Sequence, residues 1–243
     1  MSVRRFFSDS IDEAGGRAEL DAEEAHHARD VLRLRSGDAL SIFDGAGREF
    51  SGKLLSLTKS FGEVGDLQEV EPAAPESPLS ITQASVVIPG EKFDLVVQKA
   101  VELGVMRFVP LTSMRCEIKL KDIDKKLARW RRIALDASKQ CGRARLMQIE
   151  EPLDVKTFVK TMTGMCDRRI FFSEREGKKL ALAPTPKSLI SVIGPKGGWD
   201  DSELAAARDS GFEIVTFGGR ILRAETASIA LTAILQHRFG DIN

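Results

Sequence analysis

The sequence predicts an α/β protein with a small β-rich part followed by a larger part in which strands and helices alternate. Three observations carry this. Residues 39–43 and 49–57 are short apolar-alternating runs joined by the glycine turn Asp44-Gly45-Ala46-Gly47. From residue 79 onward, apolar runs of strand length alternate with stretches of helical periodicity. Between the two lies EVEPAAPESP, residues 69–78, with three prolines and no apolar period, which reads as a linker. The predicted division is 1–72 and 73–243. Strand–helix alternation implies a mostly parallel sheet, and a β-rich stretch of about 70 residues suits a small barrel.

Taken in order, residues 22–32 read as a short helix carrying His26 and His27, and a further strand pair is expected around Gly62 and Leu67. In the second part, 79–88 is a strand, and 91–103 is a helix closed by Gly104, a residue suited to a C-cap. Residues 105–111 form a strand, 123–140 a long basic amphipathic helix, and 169–172 a short strand. Residues 189–193 are an apolar strand leading into GPKGG. Asp200 or Asp201 caps a helix running to Ser210, with Glu203 in its first turn. Residues 212–217 form a strand and 225–239 an almost wholly apolar helix. The small residues Ala227, Ser228, Ala230 and Ala233 permit close approach, so burial on more than one side is expected, inside the domain or in a dimer.

With 243 residues, 42% hydrophobic and 30% charged, the chain can build a sizeable core, which excludes extensive disorder. No run reaches the roughly 18 apolar residues of a membrane span. The start, MSVRRFFSDSIDEAGG, has no apolar stretch of signal length. Cys116, Cys141 and Cys166 are widely spaced, so neither a disulfide scaffold nor a zinc site is expected, and the cytoplasm is the expected location.

The 36 basic and 36 acidic residues cancel, yet their distribution is uneven. Residues 1–72 carry 9 basic and 15 acidic side chains, whereas 115–145 carry 11 basic and 4 acidic. Such a basic segment reads either as a solvated helix face or as a phosphate-binding surface, because binding follows the local field.

Two glycine-rich turns follow apolar strands: Gly194-Pro195-Lys196-Gly197-Gly198 after Ile193, and Gly218-Gly219-Arg220 after Phe217. In open α/β sheets ligands bind at the carboxyl ends of strands, and glycines there let backbone amides come close. GxGxxG is absent, and the lysine of GPKGG precedes the last glycines, so neither a dinucleotide fold nor a P-loop is indicated. Arg220, Arg223 and Glu225 stand between an apolar strand and an apolar helix. An unpaired charge near a core costs several kcal/mol, so these groups either pair internally or face a substrate. His26, His27 and His237 read as structural or surface residues, and no metal site is expected.

These segments resemble the RsmE family, bacterial methyltransferases of the SPOUT class that act on small-subunit ribosomal RNA. The likeness runs from Arg5-Phe6-Phe7 through HHARDVLR at His26, Gly37-Asp38, QKAVELGV at Gln98 and PLTSMR at Pro110. It closes with IGPKGGWDDSEL from Ile193, FGGRILRAETAS from Phe217, and the final helix. The resemblance implies an N-terminal PUA-like barrel for RNA and a C-terminal domain tied in a deep trefoil knot. It further implies S-adenosylmethionine as cofactor, a homodimer, and methylation of N3 of one uridine in 16S ribosomal RNA, within the small subunit. By the same match Ile193, Gly194, Gly198, Phe217, Gly218, Ile221 and Leu222 should line the cofactor pocket. Arg223 and Glu225 fall where the target base should arrive. Arg5, Arg29, Arg33, Arg115, Lys119 and Arg143 are the expected RNA contacts.

The N3 nitrogen of uracil is a weak acid, so a cation that steadies its anion or a proton acceptor is needed. Arg223 is assigned the first role, and Glu225 either orients the base or takes the proton. Two positions depart from the family pattern: Lys196 replaces the usual Glu of GPEGG, and Lys139 replaces a Glu before Gln140. These substitutions keep an alternative open, a non-catalytic RNA-binding relative. A further alternative is an α/β enzyme for a small nucleotide, in which the barrel serves oligomerisation.

Overall fold

The computed structural model describes residues 4–116, 122–182 and 184–242. The chain forms two compact units: Met1–Glu76 with Leu135–Leu146, and Ser77–Ala134 with Met147–Asn243. Residues 135–146, expected in the second part, therefore belong to the first.

The first unit is a six-stranded sheet. Its strands are β1 (Arg5–Phe7), β2 (Ile11–Asp12), β3 (Arg17–Leu20), β4 (Ala39–Phe43), β5 (Glu49–Leu57) and β6 (Gly62–Val70), in the order β1-β4-β5-β6-β3-β2. β1 pairs with β4 in parallel and the other pairs are antiparallel. Laid flat, six strands would separate β1 from β2 by about 24 Å, while the link between them reaches at most about 14 Å. The sheet must therefore curl on itself. Ser8 sits at the seam: its N–H donates to the Phe43 carbonyl at 3.1 Å and its hydroxyl to the Glu19 carbonyl at 2.7 Å. Phe6, Leu20, Ile42, Leu54 and Val64 fill the interior.

The helix expected at 22–32 is two pieces, α1 (Ala22–His26) and a π-helical turn, His27–Val31. Asp21 caps α1 by accepting from the N–H groups of Glu23 and Glu24. The wider turn keeps Ala28 buried and sets the His27 ring edge-on to Phe6 at 6.0 Å.

Three cations of this unit are used internally, which corrects two of the expected RNA contacts. Arg5 is buried, donates to both Glu49 carboxylate oxygens at 3.0 and 2.9 Å and to the Ser138 carbonyl at 2.9 Å, and lies over the Phe43 ring. Arg143 is buried and forks onto Glu76, with a closest approach of 2.7 Å. A guanidinium enclosed in this way cannot reach a phosphate. Lys139, which departs from the family pattern, forms an ion pair with the buried carboxylate of Glu24.

The second unit is a parallel sheet of seven strands: β7 (Ser80–Val86), β8 (Val105–Thr112), β9 (Gln148–Ile149), β10 (Leu153–Asp154), β11 (Arg168–Phe172), β12 (Ser188–Ile193) and β13 (Glu213–Val215). The order is β10-β8-β7-β12-β11-β13, with β9 also on β8, and every pair is parallel. The helices are α2 (Glu91–Glu102), the part of α3 (Ile123–Cys141) that precedes Leu135, α4 (Val155–Thr161), α5 (Asp201–Asp209) and α6 (Ala224–Phe239). The core gathers Val109, Phe158, Phe171, Val192 and Trp199. On α6, Thr232 donates to the Gln83 side chain at 2.9 Å and Gln236 to the Leu103 carbonyl at 2.8 Å, which satisfies the polar groups of an otherwise apolar helix. Among the described residues no helix is long and apolar enough to cross a membrane.

Burial pushes the Glu24 carboxyl above the usual carboxylate range, with Lys139 opposing the shift. Lys139→Ala should strand that charge and cost about 3 kcal/mol at neutral pH, read as a lower urea midpoint. The deficit should narrow as pH falls and Glu24 takes up a proton.

Candidate functional site

β11, β12 and β13 run in parallel, so their carboxyl ends open on one edge of the sheet. The segments that follow them, with α6, enclose a cleft of ≈ 880 Å³ of empty space, its open mouth included. Ile193, Val215, Leu222 and Leu231 supply apolar wall, while Glu174, Lys196 and Arg220 are its charged residues.

The cleft is shaped by Trp199, which is fully buried. Its indole N–H donates to the Phe172 carbonyl at 2.7 Å, and its ring packs on Phe171 with centroids 4.3 Å apart. This ties the turn after β12 to the end of β11. A Cβ on Gly194 would stand 2.8 Å from the indole, so the turn passes only with glycine there. Gly198 has φ +70°, and a Cβ on it would collide with the Glu174 carboxylate. Arg175 donates to the Trp199 carbonyl and reaches Asp201 at 3.3 Å. Asp200 and Glu203 form a capping box on α5, and the buried Glu203 also accepts from the Met114 N–H at 2.8 Å.

The expected residues Ile193, Gly194, Gly198, Phe217, Ile221 and Leu222 all line this cleft. Gly218 is not among the lining residues; it has φ +76° with open space where a Cβ would be, so it bends the loop. Arg223 and Glu225 also stand outside the lining, immediately beyond Leu222 and Ala224. Arg223 is exposed and occupies the N-cap position of α6. Glu225 pairs with Lys92 at 3.1 Å. Its own backbone N–H, then Lys92 and Arg223, hold its carboxyl below the usual carboxylate range. Phe172, Ser173 and Glu174 also line the cleft and went unforeseen, although the rule of strand carboxyl ends applies to β11 as well.

Of the expected RNA contacts still standing, Arg115 is exposed, donates to the Gly197 carbonyl at 3.2 Å and lies 3.9 Å from Asp200. Arg33 is exposed with φ 55°, and Arg29 forks onto Asp30. Lys119 lies outside the described residues.

Residues 75–236 match the family described as RNA methyltransferase domain, and 20–66 the RNA methyltransferase PUA domain. Ribosomal RNA small subunit methyltransferase E of Synechocystis sp. is 33% identical over 222 residues, covering 88% of this chain and 71% of that protein. The chain belongs to the ribosomal RNA small subunit methyltransferase E family. Among solved structures of similar proteins, the Neisseria gonorrhoeae ribosomal RNA small subunit methyltransferase E bound to S-adenosyl methionine superposes with TM-score 0.90 at 31% identity, over 99% of this chain and 100% of that one. A Legionella pneumophila methyltransferase in complex with the cofactor SAM gives TM-score 0.90 at 30% identity, with the same coverage. Within the family, the first unit is the PUA-like part and the second the SPOUT-type α/β part.

Trp199→Phe keeps an aromatic ring but removes the pyrrole N–H, leaving the Phe172 carbonyl without that donor. The expected loss is about 1–2 kcal/mol of stability by calorimetry, with the far-ultraviolet circular dichroism unchanged.

Proposed function

We propose that this chain methylates N3 of one uridine in 16S ribosomal RNA, using S-adenosylmethionine. One observation carries the reading: an exposed arginine, Arg223, follows directly on Leu222 in the wall of a glycine-shaped cleft. The residues present suit the cofactor. Gly194 and Gly198 bring backbone to the cleft wall, the apolar wall suits a purine, and charges of both signs meet an amino-acid moiety. Ile193, Gly194, Gly198, Phe217, Ile221 and Leu222 would hold it, with Gly218 setting the course of the loop. When bound, the cofactor supplies a methyl group already activated on a sulfonium sulfur.

The remaining task of the protein is alignment and charge. Arg223 stands at the rim, where its guanidinium steadies the negative charge that grows on the uracil as the N3 proton leaves. Glu225 is a weak proton acceptor, because its neighbours keep it ionised and Lys92 already engages it. Its part is to orient the base, and the proton passes to solvent at the open rim. The uridine must be unpaired or turned out of its helix, since pairing hides N3. Arg33, Arg29 and Arg115 are the cations we assign to the RNA.

We also read the enzyme as a cytoplasmic homodimer acting within the small subunit. The small residues Ala227, Ala230 and Ala233, half-buried along α6, support close approach by a second helix. The loop 217–223 is read as part of the deep trefoil knot implied by the resemblance.

Arg223→Ala should lower methylation at least about 100-fold while S-adenosylmethionine affinity stays within about twofold by calorimetry, because Arg223 lies outside the cleft wall. Unchanged methylation would remove Arg223 from the mechanism. Mass mapping of 16S ribosomal RNA from cells lacking the protein, with and without complementation, tests the target.

A further inference from the structure

We propose that Glu174 makes the cleft selective for the positively charged methyl donor over its neutral, demethylated product. The inference rests on the cofactor reading above and concerns a residue that sequence reasoning passed over. Among the described residues, Glu174 is the only acidic residue lining the cleft, where Lys196 and Arg220 are the cations. It sits at the carboxyl end of β11 in a segment fixed from three directions. The Trp199 indole holds the Phe172 carbonyl at 2.7 Å, the Ser173 N–H donates to the Val215 carbonyl at 3.0 Å, and Arg175 is tied to Trp199 and Asp201. Its carboxylate occupies the space that a side chain at residue 198 would need, which makes it part of the cleft wall. The nearest cation is the Arg175 guanidinium at 3.8 Å, too far for a hydrogen bond, and the side chain is 36% exposed. The charge is thus positioned but remains available to a ligand.

Donor and product share their adenosine, their ammonium and their carboxylate. They differ by one methyl group and by the positive charge of the sulfonium sulfur, which becomes a neutral thioether once the methyl has gone to the uracil nitrogen. With Lys196 and Arg220 opposing a second positive charge, Glu174 is, among the described residues, the one acidic side chain of the wall that can favour the donor. Its attraction for the sulfur ends when the methyl is transferred, which assists exchange of product for fresh donor.

Isothermal titration calorimetry of the full chain with S-adenosylmethionine, S-adenosylhomocysteine and sinefungin tests this. Sinefungin carries a protonated amine where the donor has its sulfonium group. Glu174→Gln should weaken the donor and sinefungin about tenfold and the product less than about twofold. Glu174→Ala should shift the ratio in the same direction, which keeps the test open if glutamine packs poorly; an unchanged melting temperature without ligand checks folding. Equal weakening of all three ligands, or an unchanged donor-to-product ratio, would overturn the proposal. Failure of the unmodified chain to bind any of them would overturn the cofactor reading instead.

Discussion

A single buried hydrogen bond organises the second unit's ligand edge. The Trp199 indole reaches from the turn after β12 to the last residue of β11 and donates to its carbonyl. A donor enclosed among Phe171, Phe172 and Gly194 has no water to turn to, so leaving it unmet would carry the full desolvation penalty. The two loops are therefore coupled: the course of GPKGG determines where Ser173 and Glu174 stand. Parallel pairing does the rest, because β11, β12 and β13 bring three loops to one edge.

The charges divide by what encloses them. Arg5, Lys139 and Arg143 lie in side-chain cages with their own carboxylates, and their energetics are those of buried pairs, costly to break from one side. Arg223, Arg33 and Arg115 are exposed, Arg115 beside the Gly197 carbonyl, so their charges meet solvent. The position of Lys139 answers one question raised by the family pattern. Its ammonium lies against Glu24 of the first unit and takes no part in the cleft, whereas Lys196, the other departure, does line it.

Much of this was legible in the sequence. Strands of five or more residues, such as β4, β5, β7 and β12, carry enough alternation or apolar length to be read, and the glycine turns located the cleft. β2, β9 and β10 have two residues each, too few for any period to register. In α4, Val155, Phe158, Val159 and Met162 do fall at helical spacing, but over only seven helical residues. The basic segment left two readings open for a different reason. Arg129, Arg131, Lys139 and Arg143 meet Asp94, Glu151, Glu24 and Glu76, acids that lie outside the window in which charge was counted. Local charge counts are blind to partners brought in by folding. Glu174 escaped notice because nothing in SER marks it until β11 is seen beside β12.

The return of residues 135–146 to the first unit bears on how this protein can be divided. A fragment ending at Glu76 would lack the Ser138 carbonyl that Arg5 binds, the ammonium opposite Glu24, and the Gly142 carbonyl that receives the Ala74 N–H. Cutting the gene at the proline-rich segment would keep all six strands but remove the residues that cover Arg5, Glu24 and Ala74. The first unit is thus not a contiguous, transferable cassette, because it depends on the end of the long helix α3.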